Sequence, residues 1–509
     1  MAPHWPRAKK ARMTGIGTGM LTLVTVVGVV AASPPASATG STPHPARLAE
    51  VSSDPFTNPS SYHATQVEPD TYAAGSTIVG AFQSGRFFDG GASDIGWVTS
   101  LDGGRHWHRG FLPDTVYGGG PSARISDPVV AYDLRHHTWL ISGVTVNDLA
   151  VGTDVTVNRS PDGLHWSGPV TVFHMPAGGF VDKDWTTCDN SPSSPHFGNC
   201  YAEFDLDSQK QLLQMSVSTD GGRTWSSPKQ TPDMAHGLGG QPLVQPNGTV
   251  VVPYEDFHLG SGAQYIGSFV STDGGATWSA HHVVSPINVA VDGGAIRNSP
   301  LPSAQEDAAG TVYVVWNDCR FRPGCPSNDI VLSTSANGTT WTPTVRIPIG
   351  SVTDNADHMI PGIDIQPGTS GSTAKIALYY YYYPNNICDL ETCRLDVGYI
   401  SSVNGGRTWS APAKVAGPTL LSRIAPTSGG LMVGDYIGTA IVSGRAFALF
   451  ATGLPAVDHE GFNEPMDIVA HGEPITGGPN AVQPAVSGAP AVGRTHVTSP
   501  TPAGPLTRF

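Results

Sequence analysis

The sequence predicts an all-β fold: a β-propeller of four-stranded blades, seven by preference and six as the alternative. Three observations predict it. A short box occurs six times, with a small polar residue, an acid or its substitute, glycine, spacers and tryptophan. The box tryptophans, Trp107, Trp166, Trp225, Trp278, Trp341 and Trp409, stand 59, 59, 53, 63 and 68 residues apart. That period is a little above the ~40–50 residues usual for a propeller blade. Between the boxes, apolar and polar residues alternate as they do in half-buried strands.

The clear copies are Ser100-Leu-Asp102-Gly-Gly104-Arg-His-Trp107, Ser218-Thr-Asp220-Gly-Gly222-Arg-Thr-Trp225 and Ser271-Thr-Asp273-Gly-Gly275-Ala-Thr-Trp278. The copy ending at Trp166 is one residue short, that ending at Trp341 has Ala336 in the acid position, and that ending at Trp409 has Asn404. Asp-Gly-Gly between alternating stretches is a hairpin signal, because glycine reaches positive φ without strain. The Asp carboxylate can accept hydrogen bonds from turn amides while the Trp folds back as an apolar wedge. Asn404 can imitate that acceptor and Ala336 cannot. These acids read as fold staples, not catalysts.

The units follow in order. The first runs from Gln66 through residues 76–82 (STIVGAF) and 94–99 to Trp107; the next five span 124–172, 181–229, 236–284, 297–348 and 358–415. A seventh continues without a box, through Gly434-Asp435-Tyr436-Ile437-Gly438, residues 445–452 and residues 466–470. It has three strands, and residues 46–53 could supply the fourth and close the ring. Residues 1–38 read as a signal peptide, 39–60 as a lead-in, 61–470 as the propeller, and 471–509 as a Pro/Gly/Ala-rich disordered tail.

The signal peptide rests on Arg7, Lys9, Lys10 and Arg12, an apolar run over residues 16–32, and Ala36-Ser37-Ala38 as a cleavage pattern. No other stretch is apolar enough to span a bilayer. Its removal takes four positive charges from a net −14, that is, to −18. An acidic export product is a poor partner for nucleic acid or anionic lipid, and a monomer is expected. The six cysteines fall into local pairs, Cys188 with Cys200, Cys319 with Cys325 and Cys388 with Cys393, and read as three disulfides. Five tyrosines, 379–383, alternate faces as a strand, with some rings in the core and the last, beside Pro384, available to stack on a sugar.

Aligning the units by their boxes brings out a second repeat at the start of the inner strands. It reads Glu68-Pro69, Asp127-Pro128, Asp184-Trp185, Gln241-Pro242, Ser299-Pro300, Ile360-Pro361 and Gly434-Asp435. Glu68, Asp127, Asp184 and Asp435 should therefore converge on one channel mouth and are the catalytic candidates. Lys183, Trp185, Arg124, Arg297, Gln241 and Tyr436 are the substrate-binding candidates around them. Crowded carboxylates can split their pKa values and serve as acid and base for glycoside cleavage. They can equally hold Ca2+, or cap turns as polar residues before proline do; no cofactor is required. Asp182-Lys183-Asp184-Trp185 is the densest polar knot and suits a sugar or a salt bridge beside a core Trp.

The boxes resemble the Asp-boxes, or BNR repeats, of the sialidase superfamily. That resemblance implies the propeller and an activity on extracellular glycans. Family sialidases clamp the substrate carboxylate with three arginines, the first in a Phe/Tyr-Arg-Ile-Pro motif before the first blade. Here the equivalent strand carries Gln66-Val-Glu68-Pro69, and an acid there would repel sialic acid. Arg124-Ile125-Ser126 and Arg423-Ile424-Ala425-Pro426 resemble the motif but sit in other units, and Arg297 and Arg320 are candidates for the second and third arginines. The expectation is a secreted glycoside hydrolase of sialidase type. The alternatives are a non-catalytic propeller that binds glycan or protein and, more weakly, a polysaccharide lyase with a Tyr or His base.

Overall fold

The computed structural model describes residues 46–116, 120–257, 264–456 and 461–484. The signal-peptide reading and the end of the tail, 485–509, lie outside the described residues. Residues 46–484 form consecutive antiparallel sheets, each built from one box-to-box stretch. The first pairs Gln66–Ala74, Thr77–Arg86, Ala92–Ser100 and His108–Phe111, and the second pairs Arg124–Asp133, Thr138–Val146, Gly152–Ser160 and Val170–His174.

The third sheet has three strands, Asp184–Cys188, Cys200–Leu206 and Leu212–Ser218, with two isolated bridges, Met215 to Lys229 and Leu212 to His236, where a fourth was expected. In the fourth, Gly237–Leu238 and Leu243–Val244 share the inner edge of Val250–Asp256, which pairs with Tyr265–Ser271 and then His282–Pro286. Ser303–Glu306, Val312–Asp318, Asp329–Ser335 and Val345–Arg346 make the fifth. Asp357–Ile365, Ile376–Tyr383, Arg394–Ser402 and Ala413–Leu420 make the sixth.

In the last sheet Thr439–Val442, Arg445–Ala451 and Met466–Val469 are completed by Leu48–Glu50 from the other end of the chain. The first strand of each sheet packs beside that of the next, and Thr439–Val442 packs beside Gln66–Ala74. The chain beyond residue 470 is ordered as far as 484, contrary to the expected loose tail. Glu473–Pro474 pairs with Arg445–Ala446, Asn480–Ala481 with Thr408–Trp409, and Gln483–Pro484 with Val345–Arg346. Backbone pairing, which needs no apolar pattern, holds this segment.

The core is a set of layers between neighbouring sheets. Leu140, Val155 and Val157 of the second sheet meet Phe204 and Leu212 of the third, all buried; each such side chain is worth roughly 1.5–3 kcal/mol of burial. The tyrosine run is core rather than ligand surface. Tyr379, Tyr380, Tyr381 and Tyr383 are fully buried, and Tyr379 and Tyr381 donate to the carbonyls of Ala446 and Ala451 at 3.0 and 3.1 Å. Tyr383 therefore does not reach a loop to stack on sugar.

The three cysteine pairs form as the local spacing predicts. Cys188 bonds to Cys200, where the two lie opposite each other on adjacent strands of the third sheet. Cys319 bonds to Cys325 in the loop between the second and third strands of the fifth sheet. Cys388 bonds to Cys393 in the corresponding loop of the sixth. No cysteine is left free.

Each box closes on itself. Asp102 Oδ1 accepts from the amides of Arg105 and His106 at 3.0 and 3.0 Å, while Ser100 Oγ accepts from Gly104 N at 2.8 Å. Asp220 repeats this with Arg223 and Thr224, and Asn404 accepts from Thr408 N at 3.0 Å. The fifth copy is one residue short, and its acceptor is Asn337, not the Ala336 position. Asn337 Oδ1 takes the amides of Thr339 and Thr340 at 3.0 and 2.9 Å.

Candidate functional site

The second repeat is a backbone device. Glu68-Pro69, Asp127-Pro128 and Ile360-Pro361 each place two residues opposite one on the neighbouring strand, which is a β-bulge. The residue before each proline has positive φ, 54° at Glu68, 54° at Asp127 and 49° at Ile360. Such φ is strained for residues with a Cβ, and strain of this kind concentrates at functional sites. In the last sheet Gly434, at φ 146°, plays the corresponding part. A Cβ there would meet Glu68 Cα at 3.0 Å, so only glycine lets this segment run against the first bulge and carry Asp435 to it.

Around these bulges lies a mixed-charge cluster. Asp435 makes a bidentate pair with Arg297, Nε to Oδ1 at 2.9 Å with Nη2 on Oδ2. Arg297 reaches it because its own amide donates to Leu431 O at 2.7 Å. Lys183 Nζ lies 3.5 Å from Asp127 Oδ1 and 3.7 Å above the Tyr436 ring. Gln83 joins the first strands together: its amide donates to Glu68 and, at 3.0 Å, to Ser126 Oγ, while its carbonyl accepts from Arg86 at 2.6 Å. Tyr436 donates to Pro128 O at 3.0 Å and packs edge-on to Trp185.

The charges divide the acids. Burial, then the charges of Asp127 and Asp435, push Glu68 well above the usual carboxylate range. Asp182, next to Lys183, is raised to about 7 by burial and then by Asp127. Burial works to raise Asp435 too, but the Arg297 guanidinium outweighs it and holds Asp435 below its ordinary value. Lys183 is lowered by burial but raised more by Asp127, Glu68, Asp184 and Asp435, so it stays charged. Arg86, Lys183 and Arg297 thus supply the counter-charge that Ca2+ would bring to this mouth.

Of the expected acids, Asp127 and Asp435 reach the opening, their side chains 11% and 10% exposed, with Arg297 at 35%. Glu68 joins the cluster from beneath and is buried. Asp184 does not reach solvent: it is fully buried, and burial raises it to about 8 against the Ser142 hydroxyl and the Lys183 charge. No proline follows it, its strand carries no bulge, and Asp182 and Lys183, just before that strand, face the charge cluster instead. Arg124 is spent on Asp89 Oδ1 at 2.5 Å and on the Phe87 ring, and Gln241 on the amide of Ala304 at 2.9 Å. Arg320 is tied to Asp318 and Ser285, so no three-arginine clamp forms among the described residues.

Trp185 and Gln241 line a different space, a cavity of about 610 Å3 among the inner strands with Asp70, Tyr72, Glu306 and Asp364. Asp182 and Arg86 are the residues that sequence reasoning did not select, although Asp182 belongs to the polar knot it singled out. Beside Arg297 a largely apolar groove of about 550 Å3 is lined by Ala295, Leu390, Pro426 and Leu431.

The BNR repeat-like domain family model matches residues 152–370 of this chain. No curated protein matches the chain. Among solved structures, an ulvan lyase from a new family of polysaccharide lyase is 10% identical over 84% of this chain and 97% of its own, with TM-score 0.50. The intramolecular trans-sialidase from Ruminococcus gnavus is 14% identical over 80% and 95%, TM-score 0.40. The α-L-arabinofuranosidase Arb93A from Fusarium graminearum is 17% identical over 65% and 92%, TM-score 0.38. No helix among the described residues is long and apolar enough to cross a membrane.

Proposed function

We propose that this chain is a secreted, carbohydrate-active enzyme on a seven-bladed propeller, and that it hydrolyses terminal glycosidic bonds at the mouth formed by Asp127, Asp182, Arg297 and Asp435. The seven-blade reading is supported by the order of inner strands, in which the seventh packs beside the first. The disulfides support export.

The observation that carries the reaction is the split between two acids in one electrostatic cluster, Asp182 near 7 and Asp435 held low. Two carboxyls driven apart by their surroundings are the acid and the anion of glycoside cleavage. Asp182, about half protonated near pH 7, gives its proton to the leaving oxygen. Asp435, kept ionised by Arg297, faces the positive charge that develops at the anomeric carbon until water adds there and returns its proton to the Asp182 carboxylate. Asp127 and Lys183 bind sugar hydroxyls, and the buried Glu68 supports them from below.

A lyase would need a base, and Tyr436 is a poor one. Burial and then the Glu68 charge push its hydroxyl well above its ordinary value, and it already donates to Pro128. Assay of the purified protein on a panel of fluorogenic glycosides, a sialoside and an arabinofuranoside included, tests the reading. Release from at least one is expected, falling about 10²–10⁴-fold in Asp182→Asn and in Asp435→Asn without loss of folding. No release from any member, with glycan binding intact, would make this a binding propeller; an unsaturated product from a polyuronide would make it a lyase.

A further inference from the structure

A second polar cluster lies outside the mouth, where the crossover between the fourth and fifth sheets passes the sixth. Asp292, on this crossover, accepts from Asn298 Nδ2 at 3.0 Å and from Asn328 Nδ2 at 3.2 Å. Asn328 in turn accepts from Ala290 N at 2.8 Å and donates its amide to Asp357 Oδ1 at 2.6 Å. Asp357 begins the inner strand of the sixth sheet, and its register partner is Tyr383, so the two side chains stand side by side on one face. Both are fully buried.

Three buried oxygens in this cluster, Asp357 Oδ2, Tyr383 Oη and Asn298 Oδ1, meet no hydrogen-bond donor or acceptor that satisfies them, and beyond Asn328 the Asp357 carboxyl lies within reach of the like-charged Asp292 carboxyl. The two carboxyls face each other, and the Tyr383 hydroxyl feels the charge of both. A buried, unpaired acceptor costs about 1–3 kcal/mol, and three in one cluster need a common partner. The donors are all oxygen, two anionic and two neutral, which is the ligand chemistry of a hard divalent cation. No lysine or arginine bonds to any of the four side chains among the described residues, in contrast to the mouth.

We propose that Asp292, Asp357, Asn298 and Tyr383 hold Ca2+. The ion ties the crossover to the sixth sheet. Asn298 directly follows Arg297, so the same tie fixes the residue that holds Asp435, and the site's occupancy sets how firmly the mouth is built.

Calorimetric titration of chelator-treated protein with Ca2+ alone, together with melting curves, tests this without reference to any activity. The expected result is saturable binding and a higher melting temperature with Ca2+, with affinity about 10–100-fold weaker in Asp292→Asn and Asp357→Asn. Tb3+ adds a readout specific to this cluster: emission sensitised through the tyrosine should drop in Tyr383→Phe, which keeps the fold if the Asp variants do not. Absence of Ca2+ binding would overturn the site, as would binding unchanged in all three variants. So would a melting temperature indifferent to Ca2+ yet raised by Asp357→Asn, the mark of two carboxyls that share a proton instead.

Discussion

At the scale of single residues, Lys183 and Arg297 do opposite work with the same charge. Lys183 is buried at 5% side-chain exposure amid Asp127, Glu68, Asp184 and Asp435. Removing it strips Asp127 of its ion-pair partner, so Lys183→Met should cost about 3–5 kcal/mol, read as a shift in the denaturant midpoint. Arg297 is the accessible partner, and its effect is on titration more than on folding. With Arg297→Met, Asp435 loses the charge that holds it down and its pKa rises. The acid limb of the pH–rate profile should therefore move to higher pH, while the fold tolerates the change. Asp182 was hidden from alignment by boxes because the alignment assumes one register for every inner strand. Proline after Glu68 and Asp127 creates the bulge that satisfies the assumption; Trp185 after Asp184 does not.

At the scale of elements, the repeated box is a turn that carries its own acceptor. Asp220 holds two turn amides, and Asp220→Ala should lower stability by about 1 kcal/mol in thermal unfolding. Asn337 holds the fifth turn in the same way, so Asn337→Asp should be tolerated and Asn337→Ala should cost about as much as Asp220→Ala. The strands themselves were legible, since alternation and box spacing place nearly every one within its unit. The disulfides were legible too, because Cys325 and Cys393 each stand only a short loop from their partners. What alternation could not reveal were short pairings held mainly by backbone, with isolated side chains such as Ile475 and Val482 packed beside them. The third sheet's missing fourth strand and the pairing of residues 473–484 have no side-chain pattern to announce them. The five tyrosines show the same limit: period two tells which rings share a face, but not that the neighbouring sheets cover both faces.

At the scale of the whole molecule, buried acids make stability depend on pH in an unusual direction. Burial, the largest cause in each, raises Asp70 to about 6, Glu255, Glu306 and Asp364 to about 7, and Asp94 and Asp184 to about 8. The folded state then binds protons that the unfolded chain has already released, so stability falls as pH rises from about 4 to 8. The box acids act the other way: hydrogen bonds hold Asp220 and Asp273 at about 2 against the effect of burial, so their contribution is lost as pH falls below about 4. Melting temperature measured across this range should peak near pH 4–5 and be lower at pH 8 than at pH 5.

The strand Leu48–Glu50 lies beside Met466–Val469, from which it is separated by almost the whole folded chain. A nascent molecule makes this strand first and its partner nearly last. Until then Leu48–Glu50 has no strand to pair with, and a chain that stops before Met466 presents unpaired backbone to its neighbours. Synthesis of Met466–Val469 therefore latches the first strand to the last, and every chain that stops short of it keeps an open edge.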